Sequence, residues 1–400
     1  MKVARLFFGF CALLPGLARP LAAQDTPSTP SPNMEATLSA LAITVQPEAY
    51  NRDCRPLHTL LLDSNYRAYL EAPNFSLDEQ YVIITDYGTR YDNAGWQYVP
   101  QTISTVGLAA AYAWCERGDT TALQLAVSQA EWLVKQAQDR GDFVTWLYNF
   151  PSPSFFVPAG WTSALGNGQA IVLLTQLYLL GGDPRYLDTA RQAVNSYRVD
   201  MTDGGVRSTL DDGSVVFEEY AHPDAPVSFV LNGHIIAVDS LAYFAAATGD
   251  SAAAALVEEG IQAVRNRLSD FDGSSTTFYS LGPVPWGSAR THYAHGIHVR
   301  GLFWMYTRTG DPTFLQYAFD WQRYKWPPLP ADVYRDTVSP ESFMAALPDQ
   351  QRWLVEPADS QAFILDLRQV QPLRSFAYNM VGPYPADYEV AVSEDGVNWT

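Results

Sequence analysis

The chain contains a Gly-Asp pair four times, each between two stretches with helical apolar spacing: RGDTTALQLA from residue 117, GGDPRYLDTA from 181, TGDSAAAALV from 248 and TGDPTFLQYA from 309. A glycine suits the left-handed residue that ends a helix, and an aspartate suits the N-cap of the next helix. Pro184 and Pro312 follow two of the pairs, where the first helical turn favours proline. A repeat that holds two helices predicts stacked helical hairpins.

Four or more such hairpins that curl round form an (α/α) toroid, whose inner helix ends surround a cleft. We therefore predict a mainly α fold, with the toroid over residues 34–326 and a short mixed region at its N-terminal end. YVIITDYGTRY (81–91) begins like a strand. Aromatic-rich loops at 146–161, 214–229 and 275–293 connect the hairpins. Their rings either stack on sugars or cap the helices hydrophobically.

Residues 1–23 have the pattern of a signal peptide, with Lys2 and Arg5 before a short apolar run and small residues up to Ala23. A retained membrane anchor is the alternative interpretation. No later segment has the length of a membrane helix, so we predict no transmembrane segment. Residues 24–33 form a Pro/Ser/Thr linker. The prediction is a secreted protein, extracellular or periplasmic.

Residues 327–400 begin with a linker and continue with alternating apolar and polar residues, an Asp-Gly turn and an aromatic. This pattern looks like the first half of a discoidin-type (F5/8 type C) β-sandwich. The sequence ends at Thr400 in the middle of that pattern, so we expect the β-sandwich to be incomplete here. Such a domain is expected to contact carbohydrate or a surface.

The charge balance is 25 basic against 43 acidic residues, a net charge of −18. This excludes nucleic acid as a favoured partner, because phosphate binding needs clustered cations. Only Lys2, Lys135 and Lys325 are lysines, so arginine carries nearly all positive charge. Arginine binds carboxylates in a bidentate fork, which suits an acidic sugar. A biased source composition or a saline habitat explains the same numbers.

His292, His295 and His298 lie within seven positions, which would suit a metal site or acid–base chemistry. No carboxylate nearby completes a ligand set, and His298 falls in the apolar start of a helix. We therefore predict no metal and no cofactor. Outside the signal peptide, Cys54 and Cys115 either form a disulfide or remain separate buried thiols.

Two further groups offer proton-transfer chemistry. FEEY (217–220) places two glutamates beside a tyrosine in a loop that is otherwise poor in charge, although a solvated turn would look the same. The stretch 278–298 offers Tyr279, Arg290 and Tyr293. Glutamate and tyrosine can exchange protons, and arginine can neutralise a carboxylate.

In these segments the chain resembles the catalytic C-terminal domain of the D-glucuronyl C5-epimerases. GWTSALGNGQA (160–170) resembles the family's W-x-SAMAQGQA segment. VVFEEYAHPDAPVSFVLNGH (215–234) is similar to WYEEYPTxPxSFVLNGF. SSTTFYSL (274–281) and SARTHYAHGIHV (288–299) resemble GSGTIYDLR and LARWDYHTTHI. The segments come in the family's order across about 165 residues.

The resemblance implies a uronyl C5-epimerase that removes the C5 proton of a uronate and returns one on the opposite face, and the signal-peptide pattern adds the expectation that it is secreted. By position, the catalytic groups fall on Glu219, Tyr220, Tyr279 and Tyr293. Glu219 and Tyr293 would be the leading acid–base pair, with Tyr279 assisting.

The resemblance also implies the contacts that bind the substrate, a uronate-containing polysaccharide. Arg290 would hold the uronate carboxylate. Asn232, Gln169 and Trp161 would be supporting contacts.

The chain departs from the family where YDLR becomes YSLG, so that Gly282 replaces an arginine. A less charged polymer fits this loss and the net charge better than a sulfated one. A polysaccharide lyase and a non-catalytic carbohydrate-binding protein remain alternatives. A glycoside hydrolase is a weaker one, because Glu218 and Glu219 are adjacent rather than separated across a sugar.

Overall fold

A computed structural model of the chain describes residues 45–53, 65–273, 277–282, 286–288 and 292–323. The predicted signal peptide, the Pro/Ser/Thr linker and the C-terminal β-sandwich lie outside the described residues, as does Arg290. Tyr293 lies within a described helix, but its side chain is not among the described side chains.

Helices dominate this part of the chain, as predicted. Their bounds are α1 Tyr66–Glu71, α2 Pro100–Arg117, α3 Thr120–Gln136, α4 Ala164–Leu179, α5 Pro184–Asn195, α6 Leu231–Thr248, α7 Ser251–Arg267, α8 His292–Thr309 and α9 Pro312–Arg323. Helices α2/α3, α4/α5, α6/α7 and α8/α9 form four hairpins, and α2, α4, α6 and α8 pack against one another in sequence order. The hairpins therefore build an arc with an inner and an outer helical layer.

Residue pattern decides which helix of each hairpin lies inside. Helix α4 has the sequence ALGNGQAIVLLTQLYL, in which apolar or small residues occur on every face, and its residues 164–177 are all buried. Its partner α5 has the sequence PRYLDTARQAVN and buries only one face. A helix that is apolar all round belongs between other helices, whereas an amphipathic one covers them.

The Gly-Asp corners have the predicted caps. Gly118, Gly249 and Gly310 adopt left-handed φ values of 68°, 73° and 69°. Asp119 and Asp250 accept hydrogen bonds from the first-turn N–H groups of α3 and α7. These features confirm the predicted helix ends.

The second corner differs in one detail. Its left-handed residue is Gly181, with φ 105°, rather than Gly182, which directly precedes Asp183. An added Cβ on Gly181 would lie 2.6 Å from the carbonyl oxygen of Ala49, so the N-terminal segment packs on this corner.

Short antiparallel strands occupy the connections. A three-stranded sheet joins β1 Phe75–Leu77, β2 Ile83–Asp86 and β3 Trp96–Gln97. Two-stranded pairs follow: β4 Gln138–Asp139 with β5 Val144–Thr145, β6 Arg207–Thr209 with β7 Val215–Phe217, and β8 Phe278–Ser280 with β9 Trp286–Ser288. The predicted strand within residues 81–91 is confirmed as β2.

The segment at residues 45–53 is fixed to the end of α2. The Arg52 guanidinium donates to the carbonyl oxygens of Cys115 and Glu116 at 3.1–3.3 Å, so it satisfies groups that a helix end leaves unpaired. Cys115 is disulfide-bonded, and Cys54 lies outside the described residues. Among the helices described, none combines the length and the apolar character that a membrane span requires.

Inner and outer helices alternate along the chain, so the short corners and the long connections lie at opposite ends of the helices. After each outer helix the chain returns to the end where the next inner helix begins. The Gly-Asp corners therefore share one end, and the long connecting segments share the other. The segments with the predicted catalytic residues lie at this second end.

Candidate active site

Strand β7 leads directly into Glu218, Glu219 and Tyr220, and a buried histidine fixes this strand. The N–H of Phe217 donates to Nδ1 of His234 at 3.0 Å, and His234 Nε2 lies 2.9 Å from the carbonyl oxygen of Gly260. The imidazole is therefore neutral, with its proton on Nε2. Burial lowers its pKa to about 4. His234 thus joins β7 to both helices of the α6/α7 hairpin.

Glu218 is fully buried and holds the loop that precedes α6. Its Oε2 accepts hydrogen bonds from the Ser228 hydroxyl at 2.6 Å and from the N–H groups of Ser228 and Phe229, each at 3.1 Å. Phe229 has a left-handed φ of 41°, which an L-residue adopts only under constraint. Burial raises the pKa of Glu218, and the hydrogen bonds from Ser228 and Phe229 oppose that rise.

Glu219 has a different environment from its neighbour. The Tyr279 hydroxyl donates to its Oε1 at 3.3 Å, while Oε2 is buried without a hydrogen-bond partner among the described residues. Gly233 in the first turn of α6 makes room for the carboxyl, since an added Cβ would lie 2.2 Å from Oε2. Burial raises the pKa of Glu219 to about 7; hydrogen bonds from Tyr220 and Tyr279 oppose the rise, and the nearby Glu218 carboxyl adds to it. This glutamate can therefore exchange a proton near neutral pH.

The strand that carries Tyr279 pairs with the loop that Glu218 holds. Ser280 forms a β-bridge with Val230, and the Gly282 N–H donates to the Ser228 carbonyl oxygen at 3.0 Å. Glu218 therefore fixes one side of residues 228–230 while strand β8 fixes the other. The distance between Glu219 and Tyr279 depends on this shared loop.

Gly282 occupies the position at which the family that this chain resembles has an arginine. It lies close to the backbone of Val227. An added Cβ would lie 2.3 Å from the carbonyl oxygen of Val227. No larger residue fits this position without movement of the backbone. The close contact therefore requires glycine at the position where the family has an arginine.

Aromatic rings enclose the site on one side. Tyr220 stacks on Phe155 at 4.3 Å between ring centroids and lies 5.1 Å from Trp161. Trp161 stacks on Tyr148 at 3.9 Å, and its indole N–H donates to the Phe150 carbonyl oxygen at 2.7 Å. Burial raises the pKa of the Tyr220 hydroxyl well above its usual value.

Three of the four predicted catalytic residues, Glu219, Tyr220 and Tyr279, therefore lie together. Trp161 is buried behind Tyr220, with its polar group already bonded to the backbone. The side chain of Tyr293 and all of Arg290 lie outside what is described, and their roles stay predictions.

The other two predicted contacts lie in or next to the helical core. Asn232 is 2% exposed, next to Gly233 in the first turn of α6, and its Oδ1 has no hydrogen-bond partner among the described residues. Gln169 is 1% exposed, and its Nε2 donates to the Ser240 hydroxyl at 3.4 Å, between α4 and α6. Gln169 thus links two inner helices, and its role in substrate binding remains a prediction.

The histidines near the start of α8 contact one threonine. Thr277 Oγ1 lies 3.0 Å from His295 Nδ1 and 2.8 Å from His298 Nδ1. His295 Nε2 lies 3.0 Å from the Trp321 carbonyl oxygen. Both histidines are buried core residues. The described residues contain no group of three His, Cys, Asp or Glu side chains that could hold a metal.

Sequence reasoning missed the parts played by Glu218 and His234. A lone histidine in the apolar run LNGHIIAV was a signal for a buried, bonded imidazole, but its partners are 17 and 26 residues away. Glu218 looked equivalent to Glu219, because neighbours in sequence give no sign that their side chains point to different surroundings.

Comparison with known proteins supports the predicted epimerase C-terminal domain. Residues 139–323 match the family model described as D-glucuronyl C5-epimerase C-terminus. A D-glucuronyl C5-epimerase from Caenorhabditis elegans is 30% identical over 214 residues, which are 49% of this chain and 34% of that protein. The match thus spans about a third of the length of the worm protein. An uncharacterized protein from Methanocaldococcus jannaschii is 28% identical over 276 residues, 64% of this chain and 87% of that one.

Solved structures with some similarity include two carbohydrate-active proteins. A sugar epimerase from a ruminal bacterium aligns with a TM-score of 0.47 at 14% identity, over 66% of this chain and 72% of that one. The unsaturated glucuronyl hydrolase from Bacillus sp. GL1 aligns with a TM-score of 0.41 at 16% identity, over 56% of this chain and 61% of that one.

Proposed function

We propose that this protein is a secreted uronyl C5-epimerase that inverts uronate units of a polysaccharide. The observation that carries the proposal is the environment of the Glu219 carboxyl. This group is enclosed by protein and accepts a hydrogen bond from the Tyr279 hydroxyl, and burial raises its pKa to about 7. It lies within the 139–323 segment that matches the epimerase family model.

C5 inversion requires a base for a weakly acidic proton. The proton at C5 lies next to a carboxylate, so the electron pair left on its removal spreads into that group. A glutamate with a pKa near 7 is a stronger base than an ordinary glutamate, and once protonated it can also return the proton. Tyr279, in contact with Glu219, can relay or stabilise the proton during the transfer.

Inversion also requires an acid on the opposite face and a partner for the uronate carboxylate. The family resemblance assigns these parts to Tyr293 and Arg290. Under the proposal, the Tyr293 hydroxyl delivers the second proton while Arg290 neutralises the carboxylate.

Glycoside hydrolysis fits Glu218 and Glu219 poorly. A hydrolase needs two carboxyl groups that face the same glycosidic bond from opposite sides. All three of Glu218's bonds to Ser228 and Phe229 join it to the protein interior. Glu219 therefore acts without a second glutamate from its own segment.

The net charge of the protein bears on how strongly its substrate is sulfated. With a net charge of −18, the protein repels a highly sulfated polyanion at long range, so association with such a chain would be slow. The proposed substrate is a uronate polymer of low or no sulfation. The predicted C-terminal β-sandwich at 327–400 would add a second carbohydrate contact.

Deuterium incorporation tests the proposal directly. The full-length protein is incubated in deuterated water with unsulfated and sulfated uronate polymers, and NMR follows deuterium at C5. Absorbance of unsaturated uronate is recorded in parallel. Deuterium at C5 without new absorbance is the expected result, and new absorbance would identify a lyase instead.

The variant Glu219→Gln should abolish the incorporation, since an amide cannot accept the proton. Glu79→Gln, which changes an exposed glutamate, is the matched control and should exchange like the parent. Binding of a polymer without either signal would favour a non-catalytic carbohydrate-binding protein. Full exchange in Glu219→Gln would overturn the assignment of the base.

A further inference from the structure

Phe156 is an exposed aromatic residue at the tip of the loop that follows β5. It is 66% exposed, and Phe319 on α9, at 41%, is the other large apolar residue exposed among those described. Large apolar side chains at a protein surface are informative when they stand next to a functional region.

The backbone at Phe156 is unfavourable for this residue type. Its φ of 56° and ψ of 36° lie in the left-handed region, which is unfavourable for an L-residue because Cβ approaches the following carbonyl oxygen. Two hydrogen bonds between Ser152 and Val157, at 2.8 and 3.2 Å, close the turn, and the Phe156 N–H donates to the Pro153 carbonyl oxygen. A glycine would satisfy this turn without strain. Folding alone therefore gives no reason for an exposed phenyl ring here.

The neighbouring residue connects this tip to the active site. Phe155 is 3% exposed, stacks on Tyr220 at 4.3 Å and lies 6.1 Å from the Tyr279 ring. Consecutive Cα atoms are about 3.8 Å apart, so Phe156 directly follows the residue whose ring packs against Tyr220. The same short turn thus places one ring against the site and the other in solvent at its edge.

The surroundings of the ring indicate what it binds. Residues 143–182 contain no Lys, Arg, Asp or Glu, so the segment that carries Phe156 contributes no charge of its own. Pyranose rings have apolar C–H faces that pack on aromatic rings. The exposed Phe156 ring therefore offers a surface that is complementary to the apolar face of a sugar.

We propose that Phe156 forms a subsite for a sugar ring of the polysaccharide that lies beyond the immediate neighbours of the reacting uronate. The subsite rests on the proposed function for the identity of the polysaccharide, but its binding role can be measured separately. It recognises the ring by its apolar face, and it contributes to affinity for a chain rather than to proton transfer.

The test compares Phe156→Ala with Phe319→Ala in the full-length protein. Phe319 is the matched control, because it is an exposed aromatic on the outer layer that packs edge-on against Phe303 at 5.4 Å. The probes are an unsulfated glucuronate polymer and the shortest oligosaccharide that supports C5 exchange. Calorimetry gives the Kd, and deuterium incorporation gives kcat and KM.

For Phe156→Ala we expect about tenfold weaker binding of the polymer and a similar rise in its KM. The kcat, and the KM for the short oligosaccharide, should stay within twofold. Phe156→Trp should bind like the parent, and Phe319→Ala should change nothing. Phe156→Gly relieves the left-handed strain, so it separates loss of the ring from damage to the fold.

Polymer binding by Phe156→Ala that equals the parent's would overturn the subsite, as would an equal loss for short and long ligands. These outcomes differ from failure of the proposed function. If the parent binds polymer through Phe156 but incorporates no deuterium, the subsite stands and the epimerase proposal falls. If the parent exchanges deuterium and Phe156→Ala matches it on the polymer, the reverse holds.

Discussion

Replacing Glu219 by glutamine should stabilise the protein at alkaline pH while removing its activity. The carboxyl is enclosed by Gly233, Tyr220 and Tyr279, so ionising it in the folded protein is unfavourable. Glutamine has nearly the same shape, and its carbonyl oxygen can still accept the Tyr279 hydrogen bond. The substitution thus removes the charge and leaves the packing in place.

The magnitude follows from the raised pKa. The pKa of Glu219 is about 7 in the folded protein, against 4.5 for an ordinary glutamate. One pKa unit corresponds to about 1.4 kcal/mol, so ionisation in the fold costs about 3 kcal/mol. Because the folded value is the higher one, the contribution of Glu219 to stability is fully present below pH 4.5. It is lost as the pH rises through 7.

Urea unfolding at pH 4.5 and pH 8.5, followed by tryptophan fluorescence, measures the effect. At pH 4.5 the parent and Glu219→Gln should have free energies of unfolding within about 1 kcal/mol, because a protonated carboxyl and an amide are alike. At pH 8.5 the variant should be more stable by about 3 kcal/mol. The exposed-site control Glu79→Gln should stay within about 0.5 kcal/mol of the parent at both pH values.

A difference that does not change with pH would refute this reasoning. So would a parent that gains stability relative to Glu219→Gln as the pH rises, because that result would mean that the fold favours the charged carboxylate. The prediction needs no substrate, so it tests the environment of Glu219 independently of the proposed reaction.

Three further predictions concern the same end of the molecule. Glu218→Ala leaves three buried donors without their acceptor and should destabilise the fold by about 3 kcal/mol or more in urea unfolding, whereas Glu218→Gln keeps one acceptor oxygen and should cost less. Gly282→Ala places a Cβ against the Val227 carbonyl oxygen and should cost about 1–3 kcal/mol, measured as a lower urea midpoint; an unchanged midpoint would contradict the close contact. The kcat/KM for C5 deuterium incorporation should rise with pH and level off above about 7 as Glu219 ionises, and a profile that falls over this range would argue against Glu219 as the base.

Features set by local sterics and hydrogen bonds could be predicted from the sequence. The Gly-Asp corners are an example, because the glycine cap and the aspartate cap each depend on a few adjacent residues. Gly182 shows the limit: the left-handed residue is Gly181, and its close contact with Ala49 comes from a segment that is distant in sequence.

The candidate site was predictable only as a set of residue types. The resemblance placed Glu219, Tyr220 and Tyr279 together, and the structure shows their contacts. The sequence could not predict the division of roles between Glu218, which holds a loop, and Glu219, which is the candidate base. That division depends on Ser228 and on the pairing of β8 with the same loop, both of which are contacts between segments.

The separation of the corners from the long connections has a consequence for how such a protein can change. The caps and the apolar inner helices stabilise the arc at one end and through its middle, whereas the connecting loops shape only the other end. Insertions or exchanges at exposed loop tips, such as the one that bears Phe156, can alter which polymer is bound with little effect on helix packing. At such tips stability and specificity can therefore vary almost independently, whereas buried loop residues such as Glu218 contribute to the fold and to the shape of the site together.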